Sequence, residues 1–442
     1  MEEDAFGRQK RFHRADLLHG RCEDVPSIVE AVQFHGVRTT KDDALFQEVA
    51  ELYKSANVDE LVKNCHLAAK HLQEVGLMEG ASALIDTAPS KDGYIVNFIV
   101  KEPKSITGGA KIGMSTQGEA DFSLNVGKPS FNGRGEAVDA SYTRAFKGDH
   151  SFNVSMSKPL LGWQRYSGVA SSLSRSIAYL PWNKANLAEN SLVLAYHNSY
   201  MGRKVLQQIR LNAIWRTLLA TDESAFAVRE HAGHTLKVSA EHEHSFDTRD
   251  RPILASRGVL VKIGQELATG AIGVGDAAFL RHQVDVQAAA PLFAKFFLSA
   301  SFHAKRIDSM GDKALHLLDR AYLGGQSDLR GFMLNSIGTR VNDSCLGGGC
   351  AMAGAVHLYR PLIPADSLFA HAFIASGSVA SVGSRNIVRD LMASQRVSVG
   401  AGVTFAYKNM LRLELNYVQA LKKTANDSFR SGMHLGVGIN FM

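Results

Sequence analysis

The sequence predicts a mainly β protein: about sixteen antiparallel strands closed into a transmembrane β-barrel, preceded by a small α/β module. Three observations carry this. Helical periodicity stops near residue 103, and from Gly108 onward short segments alternate apolar and polar residues. Glycine is abundant (39) and proline scarce (10), as many strands joined by tight turns require, because proline cannot donate to a sheet ladder. The off-face residues of the strands are charged or glycine, not core-like. A closed barrel with lipid outside and a wet lumen accommodates that pattern better than a soluble sandwich, which also alternates but needs a second apolar layer.

The 442 residues are enough for more than one domain. The charge balance is mildly basic (49 against 43) and spread along the chain. No block of lysine and arginine interleaves with aromatics, so a nucleic-acid partner is not expected. The N-terminus, "MEEDAFGRQKRFHR", starts acidic and lacks an apolar core, which argues against a secretory signal or a presequence. No window approaches 18 uninterrupted apolar residues, so no transmembrane helix is expected; strands need only about ten alternating residues each and escape that test. The cysteines Cys22, Cys65, Cys345 and Cys350 form no CxxC pair. Cys345 and Cys350 bracket "LGGG" and would pair only in an oxidising compartment, so free thiols are expected.

Residues 1–27 read as a flexible segment and 28–103 as a module of order β-α-α-β-β. "IVEAVQFHGV" (28–37) suits a strand, and Thr40 with Asp43 has capping-box spacing for a short helix through about Tyr53. The second helix has Asn57 as N-cap, Glu60 three residues on and Gly76 at C′. Its expected buried face is Val58, Leu61, Val62, Cys65, Ala68, Ala69, Leu72 and Val75. Strands at 81–87 and 94–100 follow, joined by "APSKDG".

The region 108–442 supplies the barrel strands. They are expected near 111–117, 120–128, 136–145, 150–158, 166–174, 191–200, 206–216, 235–246, 258–266 and 276–288. Six more fall near 294–305, 351–359, 368–377, 396–407, 410–419 and 433–441. In "LRLELNY" (411–417), Leu411, Leu413, Leu415 and Tyr417 share one face and Arg412, Glu414 and Asn416 the other.

Catalytic and metal chemistry find little support. In "EHEH" (241–244), His242 and His244 share a strand face, but no third ligand is identifiable and polar residues on a lumen face need no other cause. "GVGDAA" (273–278) lacks the helix that a dinucleotide loop needs, and "GQSDL" (325–329) lacks the second glycine of a nucleophile elbow. Asp247, Asp250 and Asp276 sit at expected turns without pairing. No catalytic residue, metal or cofactor is expected, and the chain does not read as an enzyme.

Two signals remain. The long segment 306–350 shows no strand or helix period and holds Leu329, Arg330, Gly331 and Phe332 behind a glycine pair. In the last strand, Arg430, Gly432, Leu435 and Val437 fit the pattern polar, x, Gly, x, x, apolar, x, apolar. Together with "GVRTTKDD", "LIDT" and "LGGG…GAVHLYRPL", these residues resemble the core barrel of the mitochondrial sorting and assembly machinery, a relative of bacterial BamA. The resemblance runs from about residue 30 to the C-terminus. Leu329 stands where that family usually has Val or Ile, and Met442 follows Phe441 where an aromatic usually ends the chain.

The resemblance implies that 28–103 is a single POTRA domain in the intermembrane space, before a multi-pass barrel in the mitochondrial outer membrane. It implies an insertase that assembles β-barrel precursor proteins. The seam between the first and last strands (Lys111, Gly113, Leu435, Gly436, Val437, Gly438) would open as a lateral gate and receive the precursor's sorting strand. Gly436 and Gly438 would weaken packing at that seam. Membrane lipid, metaxin-type accessory subunits and a cristae-organising complex are the implied partners. The long loop would fold into the lumen, where Arg330 needs a carboxylate, with Glu414 the candidate from the alternation. The alternatives are a passive porin-like channel, which needs neither the module nor the loop, and a soluble β-rich binding protein.

Overall fold

The computed structural model describes residues 25–114, 120–146, 148–164, 166–326, 328–363, 367–407, 411–424 and 427–438. The expected flexible segment therefore lies, up to residue 24, outside the described residues, as do 115–117 of the first expected barrel strand and 439–442 at the end.

The chain divides into two compact units. The first comprises Met1–Gly108 with Val126–Asp139 and Met156–Val169. It contains β1 (Ile28–His35), α1 (Asp42–Val49), α2 (Val58–Glu74), β2 (Gly80–Thr87) and β3 (Gly93–Lys101). The sheet order is β1-β3-β2, with β1 parallel to β3 and β2 antiparallel to it. Leu45, Val49, Leu61, Cys65, Leu72, Val96 and Phe98 form its core. Asn57 caps α2 by accepting the Glu60 N–H, and Gly76 follows the helix at φ +80°.

Two expectations fail here. Thr40 does not cap α1, whose N-cap is Lys41 with no side-chain bond, and Val62 is exposed instead of buried. Thr40 is drawn away by a stronger acceptor: its hydroxyl and N–H both donate to Glu102, at 2.7 and 2.8 Å. Val62 lies on the solvent edge of the helix because the buried stripe is narrower than the full apolar set.

Glu102 also accepts the N–H groups of Arg38 and Thr39, at 3.1 and 2.9 Å. Burial penalises its charge, but the hydrogen bonds from Thr40, Thr39 and Arg38 outweigh this and hold its carboxyl at about 2, below the ordinary 4.5. A depressed carboxyl stabilises the fold above its unfolded value, and that stability disappears as pH falls through the folded value. Hydrogen exchange of the β1 amides in the full chain should therefore accelerate as pH drops from about 4.5 towards 2, after correction for intrinsic rates. In Glu102→Gln the protection should be lower at pH 7 and this acid-dependent loss should vanish.

The second unit comprises Gly109–Asn125, Ala140–Ser155 and Ala170–Met442. A 16-stranded antiparallel sheet accounts for the barrel. Its strands begin with β4 (Thr107–Met114), β5 (Ala120–Lys128), β6 (Ala137–Ala145), β7 (His150–Pro159) and β8 (Ser167–Leu180). Next come β9 (Ala185–Tyr200), β10 (Val205–Ala220), β11 (Gly233–Asp247), β12 (Gly258–Thr269), β13 (Ala278–Pro291) and β14 (Phe297–Ser309). The short pair β15 (Arg340–Val341) and β16 (Ser344–Cys345) lies outside this sheet. The barrel sheet resumes with β17 (Cys350–Pro361), β18 (Leu368–Ala380), β19 (Arg396–Tyr407), β20 (Leu411–Lys422) and β21 (Gly432–Gly438). Helical turns interrupt the β region at α3 (Phe226–Arg229) and α4 (Ile387–Ala393), where only strands and turns were expected. Asn386 caps α4 by accepting the Arg389 N–H, a local bond that the strand alternation does not reveal.

The strands alternate an outer and an inner face, most cleanly on β17. On β9, Leu192 and Leu194 are exposed; on β17, Val356 and Leu358 are exposed while His357 and Tyr359 are buried. Large apolar residues at the exposed positions of neighbouring strands need lipid as their solvent. No helix among the described residues is long and apolar enough to cross a membrane. The crossing elements are strands.

Candidate functional site

The connection between β14 and β17, residues 310–349, is the site's scaffold. β14 extends to Ser309 and β17 starts at Cys350, so the loop is slightly shorter than the expected 306–350, and it contains the two-residue strands β15 and β16. It does not spread over the surface. Leu315, Leu323, Leu329, Phe332 and Ile337 pack in one cluster with the inner-face residues Phe279, Ala353, Phe373, Ala375 and Val418. Gly324 (φ +118°) and Gly331 (φ +88°) permit the turns, and a Cβ on Gly324 would stand 2.4 Å from the Met333 carbonyl oxygen.

Arg330 is 5% exposed and is enclosed by this cluster. Its Nη2 donates to Glu414 Oε2 at 3.0 Å, and Nη1 donates to the His357 ring. The guanidinium also lies over Phe373, 4.9 Å from the ring centroid. Glu414 is shared. Its Oε1 accepts from Arg412 Nε at 2.7 Å and its Oε2 from Asn416 Nδ2 at 2.9 Å. Arg412 in turn donates to the Tyr359 hydroxyl at 2.7 Å and to the Ile253 carbonyl at 3.3 Å. Two buried arginines thus face one buried carboxylate on the inner side of β20. His371 and Thr404, 2.8 Å apart, close the network.

The loop motif meets the last strand. Gly331 O accepts the Arg430 N–H at 2.9 Å, and Phe332 bridges Phe429. Met333 N–H and Ser336 Oγ both donate to Ser428 O at 3.0 Å, and Gln326 Nε2 reaches Leu435 O at 2.9 Å. Gly432 (φ +125°) then turns the chain into β21. In that strand Leu435 pairs with Leu415, Gly436 with Glu414, Val437 with Leu413 and Gly438 with Arg412. The two glycines therefore stand opposite Glu414 and Arg412 of the ionic network in the strand register. Lys111, exposed, and Gly113 lie on β4 at the opposite end of the sheet order from β21.

Two further ion pairs hold this architecture and escaped the sequence reading. Arg216 on β10 forms a bidentate pair with Asp319 of the loop, at 2.6 and 3.0 Å, with both side chains under 5% exposed. Arg396 on β19 forms another with Asp427, both distances 3.0 Å, in the β20–β21 connection. The available signals were weak: an isolated arginine on an inner face, and an aspartate inside "LLDRAYL".

The weaker chemistry candidates have structural partners. Glu241 and Glu243 pair with Arg210 at 2.9 and 3.2 Å, His242 bonds Gln207 and His244 packs against Tyr200. Asp247 holds Arg249, Asp250 accepts the Ser256 and Arg257 N–H groups, and Asp276 accepts the Leu236 N–H. Cys65, Cys345 and Cys350 are free thiols.

A family model described as the Omp85 superfamily domain matches residues 109–441. The chain belongs to the Omp85 superfamily. Within it, the chain is 32% identical to the human sorting and assembly machinery component 50 homolog over 437 residues, covering 95% of this chain and 92% of that one. A SAM50-like protein of Schizosaccharomyces pombe is 25% identical, with 100% and 96% covered. In fold, this Omp85 chain is similar to BamA from Haemophilus ducreyi lacking POTRA domains 1-3, with a TM-score of 0.77 at 16% identity over 93% of this chain and 84% of the other. The Omp85 match thus covers nearly all of the barrel, with the loop motif and the whole of the last strand.

Proposed function

We propose that this Omp85 barrel inserts and assembles β-barrel precursors in the mitochondrial outer membrane, pairing the precursor's sorting strand at the seam between β4 and β21. Kinship with the sorting and assembly machinery component 50 homologues supports the β-barrel assembly role and the outer-membrane setting. The observation that carries the seam is the sheet itself. Its order starts at β4 and ends at β21, which makes those two strands its terminal members.

A strand edge offering free N–H and C=O groups pairs with any extended chain of matching length. The loop motif supplies the restraint, because Gly331, Phe332 and Gln326 hold the entry to β21 and its backbone. Release of these bonds would free the edge strand, while the Arg330–Glu414 pair keeps the loop seated on β20. The reaction makes and breaks no covalent bond, so it requires no nucleophile, cofactor or nucleotide, and the protein is not an enzyme in this reading. Burial of the precursor's apolar strand faces in lipid and closure of its sheet supply the driving force. The small α/β domain would face the intermembrane space as a POTRA module, with metaxin-type subunits and a cristae-organising complex as neighbours.

A passive channel gains no support, since the lumen is occupied by a packed loop with a buried ion-pair network. Depleting the protein in cells should reduce assembled porin while presequence import into the matrix is initially spared. Normal porin assembly after depletion would end the insertase reading.

A further inference from the structure

The turn between β13 and β14 and the end of β17 place cations and aromatics together on the outer, lipid-facing side of the barrel. On β14, Phe297 is buried, so Phe296 before it points outward. On β17, His357 and Tyr359 are buried and Leu358 is exposed, so Arg360 also points outward. The register pairs Phe297 with Tyr359, which sets Phe296 beside Arg360 at the next step, and the guanidinium lies 5.4 Å from the Phe296 ring centroid. Among the described residues, neither Arg360 nor Lys295 has a carboxylate partner.

The turn is held in an unusual shape. Leu292 N–H donates to Phe296 O at 2.7 Å, and Ala294 and Lys295 both have left-handed backbones, at φ +53° and +64°. Residues other than glycine pay an energetic penalty there, so sequence-local preference does not explain the shape. Phe293 stands out of this turn, 83% exposed, with its ring centroid 6.5 Å from that of Phe296. In the adjoining turn Ile363 is 93% exposed.

We propose that Arg360 and Lys295 bind the phosphate headgroup of an anionic phospholipid at this rim, with Phe293, Phe296 and Ile363 entering its acyl region. A guanidinium resting on an outward aromatic ring offers two parallel N–H groups to a phosphate oxygen pair, and a neighbouring ammonium adds a second charge. Exposed apolar tips continue the lipid-facing surface of β13, β14 and β17 past the strand ends, which suits the headgroup boundary and not open water. The occupant is therefore a lipid, and an acidic peptide is the competing outcome. The inference depends on the membrane barrel and not on the insertase reading, so either can fail alone.

The test uses the full chain purified in detergent, with phosphatidylglycerol or phosphatidylcholine added and bound lipid counted by native mass spectrometry. The wild type should retain phosphatidylglycerol in preference to phosphatidylcholine, and Arg360→Gln/Lys295→Gln should retain it about tenfold less. Arg203→Gln/Lys204→Gln, which removes the same charge from the β9–β10 turn, should retain it normally. Heat-modifiable migration must stay unchanged in both variants, and Arg360→Lys, which keeps the charge without the fork, should restore part of the binding if the barrel of the double variant is perturbed. Equal loss in both double variants would reduce the effect to general charge and overturn the site. So would undiminished retention in Arg360→Gln/Lys295→Gln, or capture of a polyglutamate peptide in place of phosphatidylglycerol.

Discussion

Glu414→Ala should destabilise the barrel more than Arg330→Ala, although both break the same ion pair. Removing Arg330 leaves Glu414 with Arg412 and Asn416, a neutral and still hydrogen-bonded group. The expected cost is then about 1–3 kcal/mol, that of one charge-assisted bond and its packing. Removing Glu414 leaves Arg330 and Arg412 buried together without a carboxylate between them, and about 3–5 kcal/mol is expected. Urea titration of the reconstituted barrel, followed by heat-modifiable migration, gives both numbers. The ranking is the point: a larger loss in Arg330→Ala would mean that Glu414 is organised mainly by the loop and not by its own strand. Neither change should alter membrane targeting, whereas both should change the rate of precursor insertion if the loop restrains β21.

Breaking the Arg216–Asp319 pair should release the first half of the loop while the second half stays seated. Asp319→Leu leaves the Arg216 guanidinium buried, and Arg216→Leu leaves the Asp319 carboxylate buried; about 3–5 kcal/mol is expected for either. The double replacement should cost clearly less than the sum, because no uncompensated charge remains. Limited proteolysis would localise the effect, with new cleavage near 312–322 in the single variants and the Arg330 segment still protected. Additive single and double losses would show that the two residues are independently placed and that the loop is held by its apolar cluster alone.

These two pairs differ in how far the sequence discloses them. Glu414 could be named in advance because Arg412, Glu414 and Asn416 alternate cleanly with leucines, so that one strand face carries an acid that a buried arginine needs. Arg216 and Asp319 are separated by 103 positions, and nothing in "AIWRTLLA" or "LLDRAYL" points from one to the other. Their meeting depends on how the loop crosses the lumen, which local pattern does not encode. The contact between Gly331 and Arg430 has the same origin: both motifs were visible as separate text, and only the fold sets one against the other.

Thr40 teaches the complementary lesson. Its spacing to Asp43 is that of a capping box, yet its hydroxyl goes to Glu102, 62 positions away, because three successive N–H groups make that carboxylate the better acceptor. A short-range signal yields when a distant charged group offers a stronger bond.

What the sequence by itself determined is the class of protein: a two-residue period repeated some sixteen times, with apolar residues on one face, leaves a closed sheet in lipid as its physical solution. It also determined which residues face inward, since a one-residue slip would turn every inner side chain into lipid. The tertiary structure alone decided the pairings inside that enclosure. Buried charges take the partner that the closed sheet and its loop bring within 3 Å, and that choice depends on geometry summed over the whole barrel.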